Sequence, residues 1–459
     1  MLISADDHVV EPPGVWRDRL PAALRSAGPR IEYLPVGNVE LRDGRYAEHP
    51  GTSGPLVPWW RYEDHFYSIK KFTAAAGLTA EEADSSATSF EDMRPGCWKP
   101  AERLKDMDIN GVTASLCFPN YPRFCGQLFL EAADRELALL CVKAYNDWMV
   151  EEWCGGSGGR LIPLCIVPLW DAGLAAAEVR RNAARGVRAV AFSELPTWLH
   201  LPSIHSGYWD EFYDACQETA TVVCMHVGSG TKTVTSSSDA PAAVPAALLF
   251  ANSAVSMVDL LMSGVLVKFP QLRLMYAECQ IGWIPFVLQR ADEGWAEHQW
   301  AHVGSRVEMP SESYRDRVFS CFFKDAVGVE LLEKIGVGQV LFETDYPHND
   351  GTWPDSQKVA AEQLRHLPPA SRSKVLAGNA ISLFGLSGDI FRLLRCPRRG
   401  PGGVPPPKRR ATAATGPARL AAGGVLSCPV IGGWLCRSSP RPPLVPRRPA
   451  KLGSAAASK

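Results

Sequence analysis

The chain has 459 residues, of which 46% are hydrophobic, 21% charged and 9% aromatic, an ordinary globular composition. Its formal net charge of −1 hides an uneven distribution. Residues 391–459 contain fourteen Lys and Arg and no Asp or Glu, so residues 1–390 carry 34 basic against 49 acidic side chains. An acidic body argues against nucleic acid as a partner. No apolar run reaches the ~18 residues that a transmembrane helix needs, so we expect no membrane partner.

The N-terminus and the cysteines predict a cytoplasmic protein. Residues 1–13 place acids and a His where a signal peptide has a basic and then an apolar stretch. The thirteen Cys include no C-x-x-C pair, and most lie in apolar segments. Buried free thiols in a reducing compartment explain this pattern better than disulfides do.

Extended and helical patterns alternate along the chain. Helical spacing is found at 133–152, 172–185, 208–220, 251–267, 284–298 and 327–335. Short apolar runs predict eight strands, at 2–8, 111–118, 161–168, 187–193, 221–227, 272–278, 318–323 and 339–344. Strands that are buried on both faces and separated by helices form a parallel sheet. Eight such units favour a TIM-like (β/α)8 barrel over the alternative, an open doubly wound sheet.

Two segments interrupt or follow the barrel pattern. Residues 10–105 contain a predicted hairpin near Ile31–Tyr46, with turn signals at 36–38 and 43–44, and an aromatic cluster that includes Trp60. An insertion after the first strand emerges where barrel loops form the pocket, so we interpret it as a lid or pocket wall; a solvent-facing decoration is the alternative.

The barrel is expected to span residues 1–388, and residues 389–459 form a basic tail rich in Arg, Pro, Gly and Ala. Such a tail buries too little apolar surface to offset its ordering entropy, and we expect it to be disordered. A nucleic-acid-binding arm is one interpretation of its charge. Our hypothesis is an accidental or out-of-frame extension, because its residue usage matches nothing upstream.

Four candidate metal ligands lie at the carboxyl ends of predicted strands: Asp6, His8, His226 and Asp345. Residues i and i+2 of a strand point to the same face, so Asp6 and His8 can reach one ion. The first and eighth strands are neighbours in a closed barrel, and the fifth lies opposite. Two imidazoles and two carboxylates suit one divalent metal ion, with Zn²⁺ expected first and Mn²⁺ or Fe²⁺ as alternatives. Singly, each Asp could merely cap a loop and each His could be structural.

Several motifs resemble the amidohydrolase-related family that includes aminocarboxymuconate-semialdehyde decarboxylase. The resemblance runs from residue 2 to about residue 387. It is carried by residues 6–12 (DDHVVEP), 93–98 (MRPGCW), 118–124 (FPNYPRF), 226–230 (HVGSG), 277–283 (AECQIGW), 344–348 (TDYPH) and 378–380 (GNA).

The resemblance implies that His8, His226 and Asp345 bind metal, and it implies a homodimer. The chain departs from the family twice. Asp6 stands where the decarboxylase has a histidine, so it is a ligand only by position. Glu278 stands where the family has an acid–base histidine after the sixth strand, so a carboxylate would have to carry the proton transfers.

These residues predict a metal-dependent hydrolase that acts on a small carboxylated or cyclic substrate. A bound metal lowers the pKa of a water molecule toward ~7. Asp345 would accept that water's proton, and Glu278 or His348 would protonate the leaving group. Glu194 stands where related enzymes sometimes place a bridging ligand, and Glu11 is expected to support the ligands or cap the insertion. No second complete ligand set is evident.

Five further residues are candidates for substrate binding. Arg123 and Arg94 could pair with a substrate carboxylate. Trp60, Trp98 and Trp353 could line an apolar or aromatic pocket. Surface arginines and core tryptophans are the ordinary alternatives.

Two other functions remain open. The same metal could support non-oxidative decarboxylation of an aromatic or muconate-type acid, because the family hosts both reactions and the fold does not separate them. The second alternative is a barrel whose site has decayed into a binding or scaffold protein. Glu278 in place of His tilts the prediction toward hydrolysis.

Overall fold

The computed structural model describes residues 1–42, 45–237, 239–241, 243–301 and 308–386. The predicted turn at Asp43-Gly44 and the predicted disordered tail, residues 389–459, lie outside the described residues.

Thirteen strands occur among the described residues. In chain order they are β1 (Ile3–Val9), β2 (Arg30–Pro35), β3 (Asn38–Arg42), β4 (Arg45–His49), β5 (Leu56–Tyr62), β6 (His65–Ser68), β7 (Ala114–Pro119), β8 (Leu161–Ile162), β9 (Ala189–Ala191), β10 (Val222–His226), β11 (Leu274–Ala277), β12 (Val318–Phe322) and β13 (Val340–Phe342).

Eight of these strands are parallel and occupy the positions that the apolar runs predict: β1 and β7 to β13. Hydrogen bonds join them in two runs, β1-β7-β8 and β9-β10-β11-β12-β13. Cys165 bridges the runs by pairing with Val190 of β9. On the other side, the Asp345 N–H donates to the Asp6 carbonyl at 3.0 Å. The sheet therefore closes on itself as a TIM-like barrel, as predicted.

The α-helices are α1 (Gly14–Arg17), α2 (Pro100–Asn110), α3 (Gln127–Leu130), α4 (Arg135–Trp148), α5 (Ala172–Ala183), α6 (Asp210–Glu218), α7 (Ala243–Ala247), α8 (Leu249–Met262), α9 (Val265–Lys268), α10 (Ile284–Glu297), α11 (Pro310–Tyr314), α12 (Ala326–Glu330), α13 (Leu332–Ile335), α14 (Ser356–Gln363), α15 (Pro369–Ser373) and α16 (Asn379–Leu383).

Local sequence sets where the barrel helices begin and end. The Asp134 side chain accepts a hydrogen bond from the Leu137 N–H and starts α4, and Asp171 does the same for α5. Gly111, at a φ of +69°, ends α2 in the left-handed conformation that glycine adopts without steric cost. Each predicted helical stretch contains a helix, although 251–267 and 327–335 are each divided into two.

The insertion after β1 builds two small antiparallel sheets, β2-β5-β6 and the hairpin β3-β4, and α2 begins inside its predicted range at Pro100. Its backbone reaches the loop after β13: the Ala75 N–H donates to the Pro347 carbonyl, and the Asn349 N–H donates to the Phe72 carbonyl. These contacts support the interpretation of the insertion as a pocket wall.

Most of the interior is apolar, and some of its buried polar groups pair with each other, as where the Asn146 amide donates to Glu178. All ten described cysteines are buried and free of disulfides, as the pattern predicts. Within the described residues, no helix has both the length and the apolar character needed to cross a membrane.

Candidate metal centre

The four predicted ligands converge at one end of the barrel. Asp6 and His8 point inward from β1, His226 ends β10, and Asp345 follows β13. Because all eight strands are parallel, their carboxyl ends share this face even though the residues are hundreds of positions apart. The side chains are at most 1% exposed.

The distances between the candidate ligand atoms are similar to those between atoms that bind the same metal ion. His8 Nε2 lies 3.1 Å from His226 Nε2, 3.6 Å from Asp6 Oδ1 and 3.5 Å from Asp345 Oδ1. His226 Nε2 lies 3.3 Å from Asp6 Oδ2. Ligands at about 2.1 Å from one ion are separated by about 3.4 Å in a tetrahedron and about 3.0 Å in an octahedron. The spacing of Asp6, His8 and His226 therefore fits one common ion, with Glu278 in the same group, whereas Asp345 falls in an adjoining group with His8, Glu278 and His348.

The electrostatics of the carboxylates also fit a cation. Neither oxygen of Asp6 accepts a hydrogen bond within the described part of the chain, although both are fully buried. Burial, together with Glu343 and Glu278, raises the pKa of Asp6 well above its usual range. Burial and the Glu278 charge do the same to the pKa of Asp345. A buried carboxylate without a partner is costly, and a divalent cation removes that cost.

Both histidines direct Nε2 toward the other candidate ligands. His226 Nδ1 lies 2.6 Å from the Val227 carbonyl, so Nδ1 donates to that oxygen and Nε2 is the ring atom that faces the site. Phe124 stacks on the His226 ring at 4.0 Å between centroids. Burial, with His348 and His226 nearby, lowers the pKa of His8 well below its usual range. Neutral imidazole is the form that binds metal.

Glu278 lies closer to the ligands than its predicted catalytic role requires. Its Oε2 is 3.0 Å from His226 Nε2, and it shares a possible ligand shell with Asp6, His8 and His226. Burial raises the pKa of Glu278, but the contact with His226 outweighs burial, so this pKa is below its usual value. The backbone at Glu278 is left-handed, with a φ of +55°, which no sequence pattern indicates.

His348 packs in the centre of the site, whereas its loop position predicts the rim. Its ring stacks on His8 with 3.9 Å between centroids. Its Nδ1 lies 3.0 Å from Asp345 Oδ1, and its Nε2 lies 3.2 Å from Asn120 Oδ1. Burial lowers its pKa to about 4. Asp345 Oδ1 accepts no hydrogen bond of regular geometry within the described residues, but the 3.0 Å approach places the two groups close enough for a proton to pass between them.

Asp7 and Arg103 support the site from behind β1. Asp7 accepts hydrogen bonds from Ser4, Ser115 and Thr344 side chains and from the Tyr346 N–H, which ties three barrel strands together. The buried Arg103 guanidinium donates to the carbonyls of His8 and Gly96. Sequence patterns missed both residues, although the i, i+2 rule indicates that Asp7 faces away from Asp6 and His8.

Glu11 and Glu194 hold loops rather than the candidate ion. Glu11 accepts the N–H groups of Asn120 and Tyr121 at 3.0 and 2.9 Å, as the expected supporting role requires. Glu194 accepts hydrogen bonds from the Gly228 N–H, Asn252 and Ser253, so its oxygens are occupied. This bonding favours a structural role for Glu194 over a bridging ligand.

The two arginines predicted to bind substrate already have carboxylate partners. Arg123 forms two hydrogen bonds of 2.7 Å with Glu131. Arg94 forms two with Asp106, at 2.8 and 2.6 Å. Two-point pairing of this kind occupies the guanidinium face that would bind a substrate carboxylate. Substrate binding by either residue stays a prediction, and the geometry favours structural roles.

The three predicted pocket tryptophans are in different surroundings. Trp60 is fully buried and stacks on Tyr121 with 4.5 Å between centroids, so it belongs to the core of the insertion. Trp98 is partly buried, and Phe90 and Lys99 pack against it. Trp353 is partly buried beneath the Arg94 guanidinium. Contact with a substrate stays a prediction for all three.

Comparisons with solved structures place the fold among known proteins. An amidohydrolase from Mycobacterium avium subsp. paratuberculosis K-10 is 20% identical, with a TM-score of 0.62 over 84% of this chain and 99% of that one. 5-Carboxyvanillate decarboxylase LigW from Sphingomonas paucimobilis is 18% identical, with a TM-score of 0.53 over 64% and 85%. A dihydroxybenzoic acid decarboxylase from Polaromonas sp. JS666, solved with manganese and 2-nitroresorcinol, is 18% identical, with a TM-score of 0.52 over 66% and 91%.

The sequence itself carries the family signature. The profile of the amidohydrolase family matches residues 54–386, which is most of the chain and includes the His226, Glu278 and Asp345 motifs. This match agrees with the resemblance that the motifs carry and with the closed barrel. The chain belongs to the amidohydrolase family.

Proposed function

We propose that the protein is a metal-dependent, non-oxidative decarboxylase of a small aromatic or muconate-type acid. The observation that carries the proposal is the pairing of Asp345 with His348 at 3.0 Å inside a shell of candidate metal ligands. Such a pair can deliver a proton to substrate carbon beside a cation. The decarboxylases among the structural neighbours support this activity over the hydrolysis that Glu278 led us to expect.

Asp6, His8, His226 and Asp345 would hold one divalent cation, which would bind the substrate's carboxylate or a neighbouring hydroxyl and polarise the bond to carbon. Zinc is the expected ion. Manganese is also consistent with a site that has two or three carboxylates, and it is present in the Polaromonas decarboxylase.

The chain's own groups can account for the proton. His348, which lies beside Asp345 and Asn120, or the neighbouring Glu278 would first take up H⁺ from solvent, because the pKa values of both groups are low, and would then donate it to the carbon that bears the carboxylate. The carbon–carbon bond then breaks, its electron pair stays with the ring, and carbon dioxide leaves. One proton is consumed for each carboxylate released. The buried setting keeps bulk water away from the protonated carbon.

The test is a product assay on the full chain loaded with Zn²⁺ or Mn²⁺. Hydroxylated benzoic acids and muconate-type acids should release carbon dioxide, with one deuterium incorporated at the vacated carbon when the reaction runs in D₂O. Lactones and esters serve as the hydrolase panel. The exposed His205, paired with Asp259 on the surface, provides a control variant, His205→Gln.

Each outcome separates the candidates. Carbon dioxide release lost in His348→Gln and kept in His205→Gln supports the proposal. Turnover of esters or lactones without carbon dioxide release would restore the hydrolase hypothesis. A metal-free protein that cannot be loaded would favour a decayed binding barrel. A homodimer, implied only by the family resemblance, is part of the proposal and is tested by the molar mass in solution.

A further inference from the structure

A second cluster of potential ligands lies next to the candidate metal centre. It consists of Asp6, Cys321 and Glu343, here called the inner cluster, and one ligand atom from each lies within 4.8 Å of the others. Cys321 comes from β12, and Glu343 directly follows β13. Glu343 lies two residues before Asp345, whose backbone is left-handed, with a φ of +50°. All three side chains are fully buried.

The inner cluster contains buried polar atoms without partners. Both Asp6 oxygens and Glu343 Oε1 lack a hydrogen bond of regular geometry within the described residues. The remaining contacts are weak. Glu343 Oε2 accepts the Glu278 N–H at 3.2 Å, and the Cys321 thiol donates to the Tyr276 carbonyl at 3.5 Å. Buried polar groups are normally satisfied, so these orphaned oxygens point to a missing partner.

Charge balance indicates what that partner is. Four acidic side chains lie around the two histidines: Asp6, Asp345 and Glu343 are fully buried and Glu278 is 12% exposed. One divalent cation balances two negative charges. Buried charges are paired or coordinate metals, and one ion leaves this set with excess negative charge.

We propose that the inner cluster binds a second divalent cation, through the Cys321 thiolate, Glu343 and a shared Asp6. The mixed sulfur and oxygen ligands suit Zn²⁺ or Co²⁺ better than Mg²⁺ or Ca²⁺. Binding converts the Cys321 thiol to a thiolate and releases one proton to solvent. The sequence-based expectation of a single ion missed this set, because Cys321 lies in an unremarkable apolar strand. The inner ion would fix the orientation of Asp6 toward His8 and His226.

Cobalt distinguishes the inner cluster from the neighbouring candidate metal centre, because only the inner cluster includes sulfur. The full chain is stripped with a chelator, reloaded with Co²⁺, and analysed for metal content and for thiolate-to-cobalt charge-transfer absorption. Three variants accompany the parent: Cys321→Ser, His226→Ala and, as the control, Cys224→Ser. Cys224 is also fully buried in a barrel strand, on β10, where its thiol donates to the Val222 carbonyl, and it belongs to none of the candidate ligand groups.

The parent and Cys224→Ser are expected to bind two equivalents of cobalt and to show the band. Cys321→Ser should bind about one equivalent of cobalt and lose the charge-transfer band. His226→Ala should lose the ion of the candidate metal centre and keep the charge-transfer band. Absence of the band from the parent, at any cobalt content, would overturn the proposal whether or not a variant folds. Persistence of the band in Cys321→Ser, or its loss in His226→Ala, would also overturn it.

Discussion

The adjacent residues Asp6 and Asp7 offer a sharp test of how the barrel separates function from stability. Strand alternation sends Asp6 into the candidate metal centre, where neither oxygen accepts a hydrogen bond among the described residues. Asp7 points the opposite way and accepts four hydrogen bonds, with the Arg103 guanidinium 4.0 Å away. We predict that Asp6→Asn abolishes metal binding and that Asp7→Asn lowers the free energy of unfolding.

The magnitude follows from what each amide would meet. In Asp7→Asn, an NH₂ group replaces Oδ2, which lies against Ser115 and faces Arg103. That change removes one charge-assisted hydrogen bond and leaves a buried guanidinium without its counter-charge, a loss of about 3–5 kcal/mol. In Asp6→Asn, no hydrogen bond within the described residues is lost, and a costly buried carboxylate becomes neutral. The metal-free variant should match or exceed the parent in stability.

Urea unfolding in the presence and absence of a chelator measures both effects. Saturating metal stabilises the folded parent by about 2.7 kcal/mol at one hundred times Kd. Asp7→Asn should have a lower free energy of unfolding without metal and should still gain this increment when metal binds. Asp6→Asn should keep the free energy of unfolding of the metal-free parent and should gain nothing from metal. Equal destabilisation by the two variants in the metal-free state would refute the assignment of Asp6 to the metal and Asp7 to the fold.

Three further predictions address the ligands, the proton donor and a buried carboxyl. His226→Ala should lower metal affinity by more than the ~10–100-fold typical of residues that only support a ligand, as measured by chelator competition; unchanged affinity would remove His226 from the shell. His348→Gln should keep the metal and lower kcat by about 10²–10⁴-fold, whereas a changed KM alone would indicate a binding role. Burial raises the pKa of Glu194 from its ordinary value of 4.5 to about 7, so its contribution to stability is complete below pH 4.5 and is lost as the pH rises through 7. The free energy of unfolding of Glu194→Gln should therefore rise relative to that of the parent between pH 5 and 7.5, and a pH-independent difference would contradict this.

The fold and the convergence of the four candidate ligands at one end of the barrel could be predicted, because both depend on strand alternation and parallel topology. The spacing of Asp6 and His8 sets a shared face. His226 and Asp345 end apolar runs, and a closed parallel barrel brings all strand ends to one side. These arguments need only the order of elements, which apolar patterns reveal. They do not need the path of any loop.

The remaining site features depend on loop conformation, which local patterns do not encode. Glu278 reaches His226 because its backbone is left-handed, with a φ of +55°, and Arg123 reaches Glu131 from a residue with a φ of +59°. His348 was expected at the rim because it follows a strand by several residues. The loop instead folds back, and its ring packs on His8. Non-glycine residues adopt such conformations only when surrounding contacts hold them.

Glu343 is an acidic residue of the site that the sequence analysis does not single out. It directly follows the eighth barrel strand, β13, and its side chain is fully buried. An acidic residue at that depth is expensive in an apolar barrel, and burial raises its pKa to about 8. The same cost applies to Asp6 and Asp345, so the metal-free barrel carries several destabilising carboxyl groups around the site. Replacing any one of them by a neutral residue should make the metal-free variant more stable than the metal-free parent. With the cation bound, the parent should be the more stable of the two. That reversal connects stability and function in a single measurement, because a barrel that used these acids merely as structural groups would be weakened by their loss under both conditions.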